Sequence, residues 1–279
     1  MDMRSLVESC LPQKPAPKDM LFHYTSAAGL VGILQSHTVW ATHVYFLNDW
    51  NECDRAIGHA THLIQKRLAG PSGPVAALAD AIDNELQNFP TQPHVCIFSL
   101  SAARDLLSQW RAYGASGGYC LGFWTSTFVR PFARAGYAFG HCLYKDRQQL
   151  SAVSRLFSHF VQQADTEPRP DRRTLRNLAK QFWLAVMHLA PFFKDRSFLE
   201  ENEWRLVSPA MAPADLKFRV GSGKVIPYAE APFKISSLRE IIIGPMHETY
   251  LAEDALKILL ANAGVRRCKI DHTKTTLRQ

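Results

Sequence analysis

Paired cysteines, long apolar runs, a phosphate loop and a serine elbow are all missing from this chain. Its six cysteines (Cys10, Cys53, Cys96, Cys120, Cys142 and Cys268) are scattered, with no C-x-x-C pair. That spacing excludes a disulfide framework and a cysteine zinc site, and it points to a reducing cytoplasm. The longest apolar run, FWLAVMHLAPFF (182–193), is too short to span a bilayer and contains His188 and Pro191. The first twenty residues lack the apolar core of a signal peptide. A soluble cytoplasmic protein without membrane contact is expected. GSGK (221–224) has neither the glycine at 218 nor the Ser or Thr after Lys224 that a Walker loop requires, so it reads as a hairpin turn. No G-x-S-x-G elbow occurs. His59 and His62 are three apart on a helix, but two ligands do not make a site, and no metal is expected. Repeats and low-complexity segments are absent as well.

What is present is enough for a substantial core: 279 residues, 47% hydrophobic and 20% charged. The net charge of +7 suits an anionic partner, whether a nucleotide, a nucleic acid or a phosphorylated surface, and it is equally ordinary for an enzyme with none of these.

A Pro-rich lead-in (1–20) precedes LFHYTS, a short strand, and SAAGLVGILQS, whose Leu30, Ile33 and Leu34 have helical spacing. TVWATHVYFLND is β-rich and ends in a turn. Asp49 and Glu52 there have capping-box spacing for a helix running to about Arg67. Beyond the GPSGP break, VAALADAIDNELQNF is a helix, HVCIFSLS a strand, RDLLSQWRAYG a short helix and GGYCLGF a strand. Residues 145–193 form a helical insertion broken at DTEPRPDRR. EENEWRLV is a strand, the segment around VIPYAE is loop-rich, EIIIGP is a strand, and a terminal helix runs from about 247 to 263. A short strand and basic tail (265–279) close the chain. Strands cluster on both sides of the helical middle. That order predicts an α+β fold with a mixed, mostly antiparallel central sheet, built as one domain over 21–264.

The sharpest signal is FLEENEWRLV (198–207). On a strand, Glu201, Glu203, Arg205 and Val207 share one face while Asn202, Trp204 and Leu206 share the other. Two carboxylates about 7 Å apart repel by about 2 kcal/mol at an effective dielectric near 20, and Arg205 neutralises only one of them. Such a face suits either a cleft where positive charge develops in a reaction or a solvated edge strand with one weak ion pair. Other polar residues stand at strand and turn ends: His23 and Tyr24 after Leu21-Phe22, Ser99 and Ser101 ending VCIF, and Asn48, Asp49 and Glu52 ending VYFL. His23 is also readable as a core histidine satisfied by hydrogen bonds. Trp110 and Tyr113 share a helix face, as core or as a stacking platform.

Taken together and in order over about residues 21–262, HYTS, VWAT, FLND, FSLS, LLSQWRAYG, GGYCLGF, FFKDRSFLEENEWRLV and EIIIGP resemble a bacterial family, the domain of unknown function 2971. That family includes abortive-infection proteins acting against phage. Gln109-Trp110 stands where it more often has Met-Trp. The HYTS strand, the G-L-x-x-I-L helix, the W-A-T strand and the late E-x-E of Glu201-Asn202-Glu203 more distantly resemble ADP-ribosyltransferase-like folds. That second resemblance implies NAD as the substrate, a small-molecule dinucleotide, cleaved at its nicotinamide–ribose bond. Glu203 would steady the cation and Glu201 would orient or deprotonate the acceptor. It further implies that His23 holds a ribose hydroxyl, that Tyr24 or Tyr113 packs on a ring, and that Thr25, Ser99 and Asn48 line the substrate. Arg205 either disarms Glu203 by pairing with it or clamps a phosphate.

The leading expectation is an NAD-consuming transferase acting on nucleic acid or protein, or an NAD hydrolase, serving as a phage-defence toxin. A nucleic-acid-binding protein using Arg266, Arg267, Lys269, Lys274 and Arg278 is a second class. A non-catalytic sensor or interaction module, with the acids and Arg205 as a structural network, is a third. Nothing in the pattern specifies an oligomeric state.

Overall fold

Residues 1–279 are described by a computed structural model, apart from 15, 18, 48–50, 71, 88–92, 115–116, 167–169, 222 and 276–279. In chain order the elements are α1 (Met3–Cys10), β1 (Met20–Ser26), α2 (Ala27–Ser36), β2 (Thr38–His43), α3 (Asn51–Leu68), α4 (Pro74–Gln87), β3 (Cys96–Ser101), α5 (Leu107–Tyr113) and β4 (Gly118–Trp124). There follow α6 (Thr125–Arg134), β5 (Ala138–His141), α7 (Asp146–Asp165), α8 (Arg172–Leu189), β6 (Glu203–Val207), β7 (Lys217–Gly221), β8 (Lys224–Pro232), β9 (Leu238–Ile243), α9 (Thr249–Asn262) and β10 (Lys269–His272). The fold is α+β. The sheet runs β10-β9-β4-β1-β3-β2-β8-β7, with β6 on the other edge of β3 and β5 outside β6. Among the described pairs of strands only β9 and β10 run parallel, with one isolated parallel bridge between Leu143 and Phe193.

Alternation along the strands sorts side chains into two cores. Phe98 and Leu100 of β3, with Trp204 and Leu206 of β6, pack beneath α2, α6 and α9. Ile97 and Val207 face the opposite way, into a helical layer of α1, α3, α4, α7 and α8. The expected insertion thus corresponds to α7 and α8, which join three other helices. In α7 the buried Ala152, Val153, Leu156, Phe157 and Phe160 recur at three- and four-residue spacing. Asp171 caps α8 by accepting from the Thr174 amide at 2.7 Å.

Four segments depart from the sequence expectation. Residues 3–10 of the lead-in form a helix that buries Leu6, Val7 and Cys10. The stretch around VIPYAE is strand β8, paired with β2 and β7. Helix α6 was not expected, although its buried Thr125, Phe128 and Phe132 stand at helical spacing, and the four-residue strand β5 was not expected either. Asp49 of the expected capping box lies outside the described residues, as does Asn48.

β1 and β2 both lie on the same edge of β3, but β1 touches it only at Phe22–Ser101 and β2 only at Thr42–Ile97 and His43–Cys96. The sheet therefore forks between them. Among the described residues no helix is long and apolar enough to cross a membrane.

Candidate active site

β6 runs antiparallel to β3, placing Glu203 opposite Ser101 and Arg205 opposite Ser99. Both charged side chains share the face of Val207 and so point into the helical layer, where α3 supplies Glu52 and the turn after α8 supplies Lys194. The Arg205 guanidinium donates Nε to Glu203 Oε1 at 2.7 Å and forks onto the two Glu52 oxygens at 2.5 and 2.7 Å. Its remaining donors go to the Pro191 carbonyl and to Glu203 Oε2. The Lys194 ammonium bonds the carboxylates of both Glu201 and Glu203. Glu52, Glu203, Arg205 and Lys194 are all buried. With five donors committed to protein acceptors, Arg205 has none left for a phosphate, and the clamp expected of it is corrected.

The two glutamates converge, but not by alternation along a strand. β6 begins only at Glu203; Glu201 closes a 3₁₀ turn, Arg196–Glu201. Between them Asn202 adopts a left-handed conformation with φ 42°, which asparagine tolerates better than most residues. That reversal brings the Glu201 side chain back onto Lys194. Asn202 Oδ1 is held within 2.7 Å of His141 Nε2 and 3.2 Å of Lys14 Nζ, which fixes the kink.

The cluster holds three carboxylates and two cations, leaving one negative charge when all are ionised. Burial pushes the Glu203 carboxyl up, but Arg205 and then Lys194 outweigh it and hold it at about 2. For Glu52 burial wins over Arg205, and its carboxyl is pushed up to about 7. The Glu201 carboxyl is also raised, chiefly by burial, against the pull of Lys194. Its side chain is 16% exposed, against 6% for Glu203, so Glu201 is the acid on the open side. Tyr113, at the end of α5, is 44% exposed overall, yet it stands within the field of this cluster: desolvation of its hydroxyl first, then the charges of Glu203 and Glu201, raise its pKa.

Glu201, Glu203, Arg205 and Tyr113 are therefore brought together, with Ser99 beside Arg205 on the neighbouring strand. His23 is not on that face. Its ring lies with Leu21 on the other side of β1, 4.3 Å from the Phe98 ring, and its Nδ1 donates to the Ser99 carbonyl at 2.9 Å. It thereby satisfies a backbone acceptor that the fork leaves without a ladder partner. Burial pushes its pKa down to about 4, so the ring is neutral with the proton on Nδ1. Tyr24 faces away from His23, donates its hydroxyl to the Ala103 carbonyl at 2.9 Å and accepts from the Leu106 amide at 3.0 Å, which holds the β3–α5 loop. Thr25 packs its Oγ1 where a Cβ on Gly29 would stand, under the first turn of α2. Asn48 lies outside the described residues.

Sequence reasoning missed Lys194 and the role of Glu52. Lys194 carries no local signal within FFKDRSF, and the spacing of Glu52 suits a cap. The only available sign was a glutamate on the apolar side of an amphipathic helix, since Glu52 is buried beside Cys53 and Ala56. The basic tail is also less free than expected. β10 is a sheet strand, Lys269 pairs with Glu240 and Asp271, and the Lys274 amide donates to Asp105. Among the described residues no group of three or more His, Cys, Asp or Glu could hold a metal ion.

Residues 109–206, from the middle of α5 into β6, match the family described as "Protein of unknown function (DUF2971)". This supports the resemblance to domain-of-unknown-function family 2971 over a stretch that contains Tyr113, Lys194, Glu201, Glu203 and Arg205. The likeness to ADP-ribosyltransferases gains no support from that match. No curated protein and no solved structure matches the chain.

Proposed function

We propose that this protein is an NAD-consuming enzyme of ADP-ribosyltransferase-like chemistry, with Glu201 at its reactive edge. The observation that carries the reading is the excess carboxylate of the Glu52–Glu203–Glu201 cluster, gathered beside Tyr113 with Glu201 on its open side. When the nicotinamide–ribose bond breaks, its electron pair leaves with nicotinamide and the ribose carbon becomes cationic. The net negative charge that the cluster holds once Glu52 is ionised, as pH rises through about 7, favours that state in a low-dielectric setting. An acceptor hydroxyl, amine or water then bonds to the ribose carbon and passes its proton to Glu201. Burial raises the Glu201 carboxyl, the direction that makes it a stronger base. Glu203, fixed by two cations, supplies field and position.

The test is nicotinamide release from NAD, with nucleic acid, cell lysate or water as acceptor. Glu201→Gln is expected to lower turnover by about 100-fold or more while the melting temperature stays within a few degrees of wild type. Wild-type protein that releases no nicotinamide under any of these conditions overturns the proposal.

A second reading has its own observation. The saturation of Arg205 by Glu52, Glu203 and Pro191 suits a network that locks β6 to the helical layer in a non-catalytic interaction module. On that reading Glu203→Gln costs stability and Glu201→Gln costs nothing measurable.

A further inference from the structure

The β7–β8 hairpin, whose strands pair up to Gly221 and Lys224, carries an arginine whose bonding is the reverse of that of Arg205. Register places Trp40 and Thr42 of β2, Tyr228 and Glu230 of β8, and Lys217 and Arg219 of β7 on one face of the sheet beside the fork. Arg219 reaches across β8 and donates Nη2 to Thr42 Oγ1 at 3.0 Å. Its Nε is shielded from solvent and has no acceptor, and the indole Nε1 of Trp40 on the same face is in the same condition. No carboxylate among the described residues pairs with Arg219. The nearest acid by register, Glu230, is taken by Lys217 at 2.6 Å, with the Tyr228 hydroxyl on its other oxygen. The Arg219 charge reaches His23 across the fork, and burial lowers the arginine pKa with only Tyr228 opposing it. A half-buried guanidinium without a counter-ion among the described residues, with a second unpaired N–H on the same face, is an incomplete hydrogen-bonding arrangement.

We infer that Arg219, with Thr42 and Trp40, anchors the phosphoryl group of a nucleotide-class ligand at the fork between β1 and β2. A phosphoryl oxygen accepts from the guanidinium in a charge-assisted bond and supplies the counter-ion the site lacks. The Trp40–Tyr228 ring pair, 5.2 Å between centroids, forms an aromatic wall beside it. The inference rests on the NAD reading only for the identity of the nucleotide; the anion site itself does not.

The experiment titrates the full chain with pyrophosphate, ADP and NAD, each matched in ionic strength with sodium chloride, and follows the melting temperature and binding heat. Saturable stabilisation of wild type is expected. Arg219→Gln should weaken it by about tenfold or more, with Arg219→Lys in between. Trp40→Phe should weaken it by a smaller factor at unchanged melting temperature in chloride. Absence of saturable binding by any of the three, or equal binding by Arg219→Gln, overturns the inference. Pyrophosphate bound through Arg219 without nicotinamide release would sink the NAD reading alone. Nicotinamide release unaffected by Arg219→Gln would sink the anchor alone.

Discussion

Two charge networks in this molecule have nearly the same members and opposite settings. In the helical layer, Arg205 joins two acids, Glu52 and Glu203, while Lys194 joins Glu203 and Glu201. At the far edge of the sheet, Arg104 joins Glu240 and Asp271, while Lys269 joins the same two. The first sits with side chains between 2% and 16% exposed; in the second, Glu240 is only 5% exposed, but Arg104 is 34%, Asp271 35% and Lys269 65% exposed. The rim network balances two acids against two bases, whereas the buried one carries a third acid. Water can absorb an imbalance at the rim. In the helical layer only another protein group or a proton can do so, and an uncompensated carboxylate there is available to chemistry.

The largest effect is expected from breaking the buried network at Arg205. Arg205→Met leaves Glu52 and Glu203 buried with Lys194 as the remaining cation, and removing one member of a buried pair costs about 3–5 kcal/mol. For a chain of this size that corresponds to a fall in melting temperature of roughly 10 °C. Thermal unfolding of the purified variant measures it, and a loss below about 1 kcal/mol would place the network in solvent-like surroundings.

Proton binding gives a finer test. Glu52 titrates near 7 in the folded chain against an ordinary carboxyl value of 4.5, so the folded state holds this proton more tightly than the unfolded one. Its favourable contribution is complete below pH 4.5 and is lost as pH rises through about 7. Glu203, held at about 2, acts in the opposite sense, and its contribution fades only as pH falls below 4.5 toward 2. Between pH 4.5 and 7, wild type should therefore lose stability relative to Glu52→Gln, which has no proton to release. Melting temperatures of the two proteins measured side by side should shift in favour of the variant by several degrees over that window. A shift in favour of wild type would mean that Arg205 holds Glu52 ionised throughout, as it does Glu203.

The fold was largely legible because its elements rest on local patterns. The Leu30, Ile33, Leu34 spacing made α2, and the apolar EIII made β9. The site was legible only in part. Glu201 and Glu203 do act on one point, yet the sequence supported that through strand alternation, whereas the structure achieves it through a left-handed Asn202 whose φ depends on His141 and Lys14 far away in the chain. Glu52 was invisible for the same reason, since a partner 153 residues away leaves no periodic trace, whereas Lys194 lies only seven and nine residues before Glu201 and Glu203 but in no regular element. His23 illustrates the reverse. Its position on β1 was correct, and the fork that gives it the Ser99 carbonyl is a property of three strands at once.

The smallest expected effect lies at the rim. Arg104→Gln removes a guanidinium that meets Glu240 through both of its oxygens, at 2.8 and 2.7 Å, and Asp271 at 2.5 Å. By contact geometry alone this loss should rival that of Arg205. Burial argues otherwise. Arg104 is about one-third exposed, so water and salt screen its side of each pair; Glu240 is itself buried, but Lys269 already stands 3.5 Å from it and 2.7 Å from Asp271 to take up the released charge. The expected cost is about 1 kcal/mol or less, shrinking further as salt is raised. Denaturant titration at low and high salt measures both. A loss of several kcal/mol that ignores salt would show that hydrogen-bond geometry, and not exclusion from water, sets the strength of these networks, and the distinction between the two regions would fall.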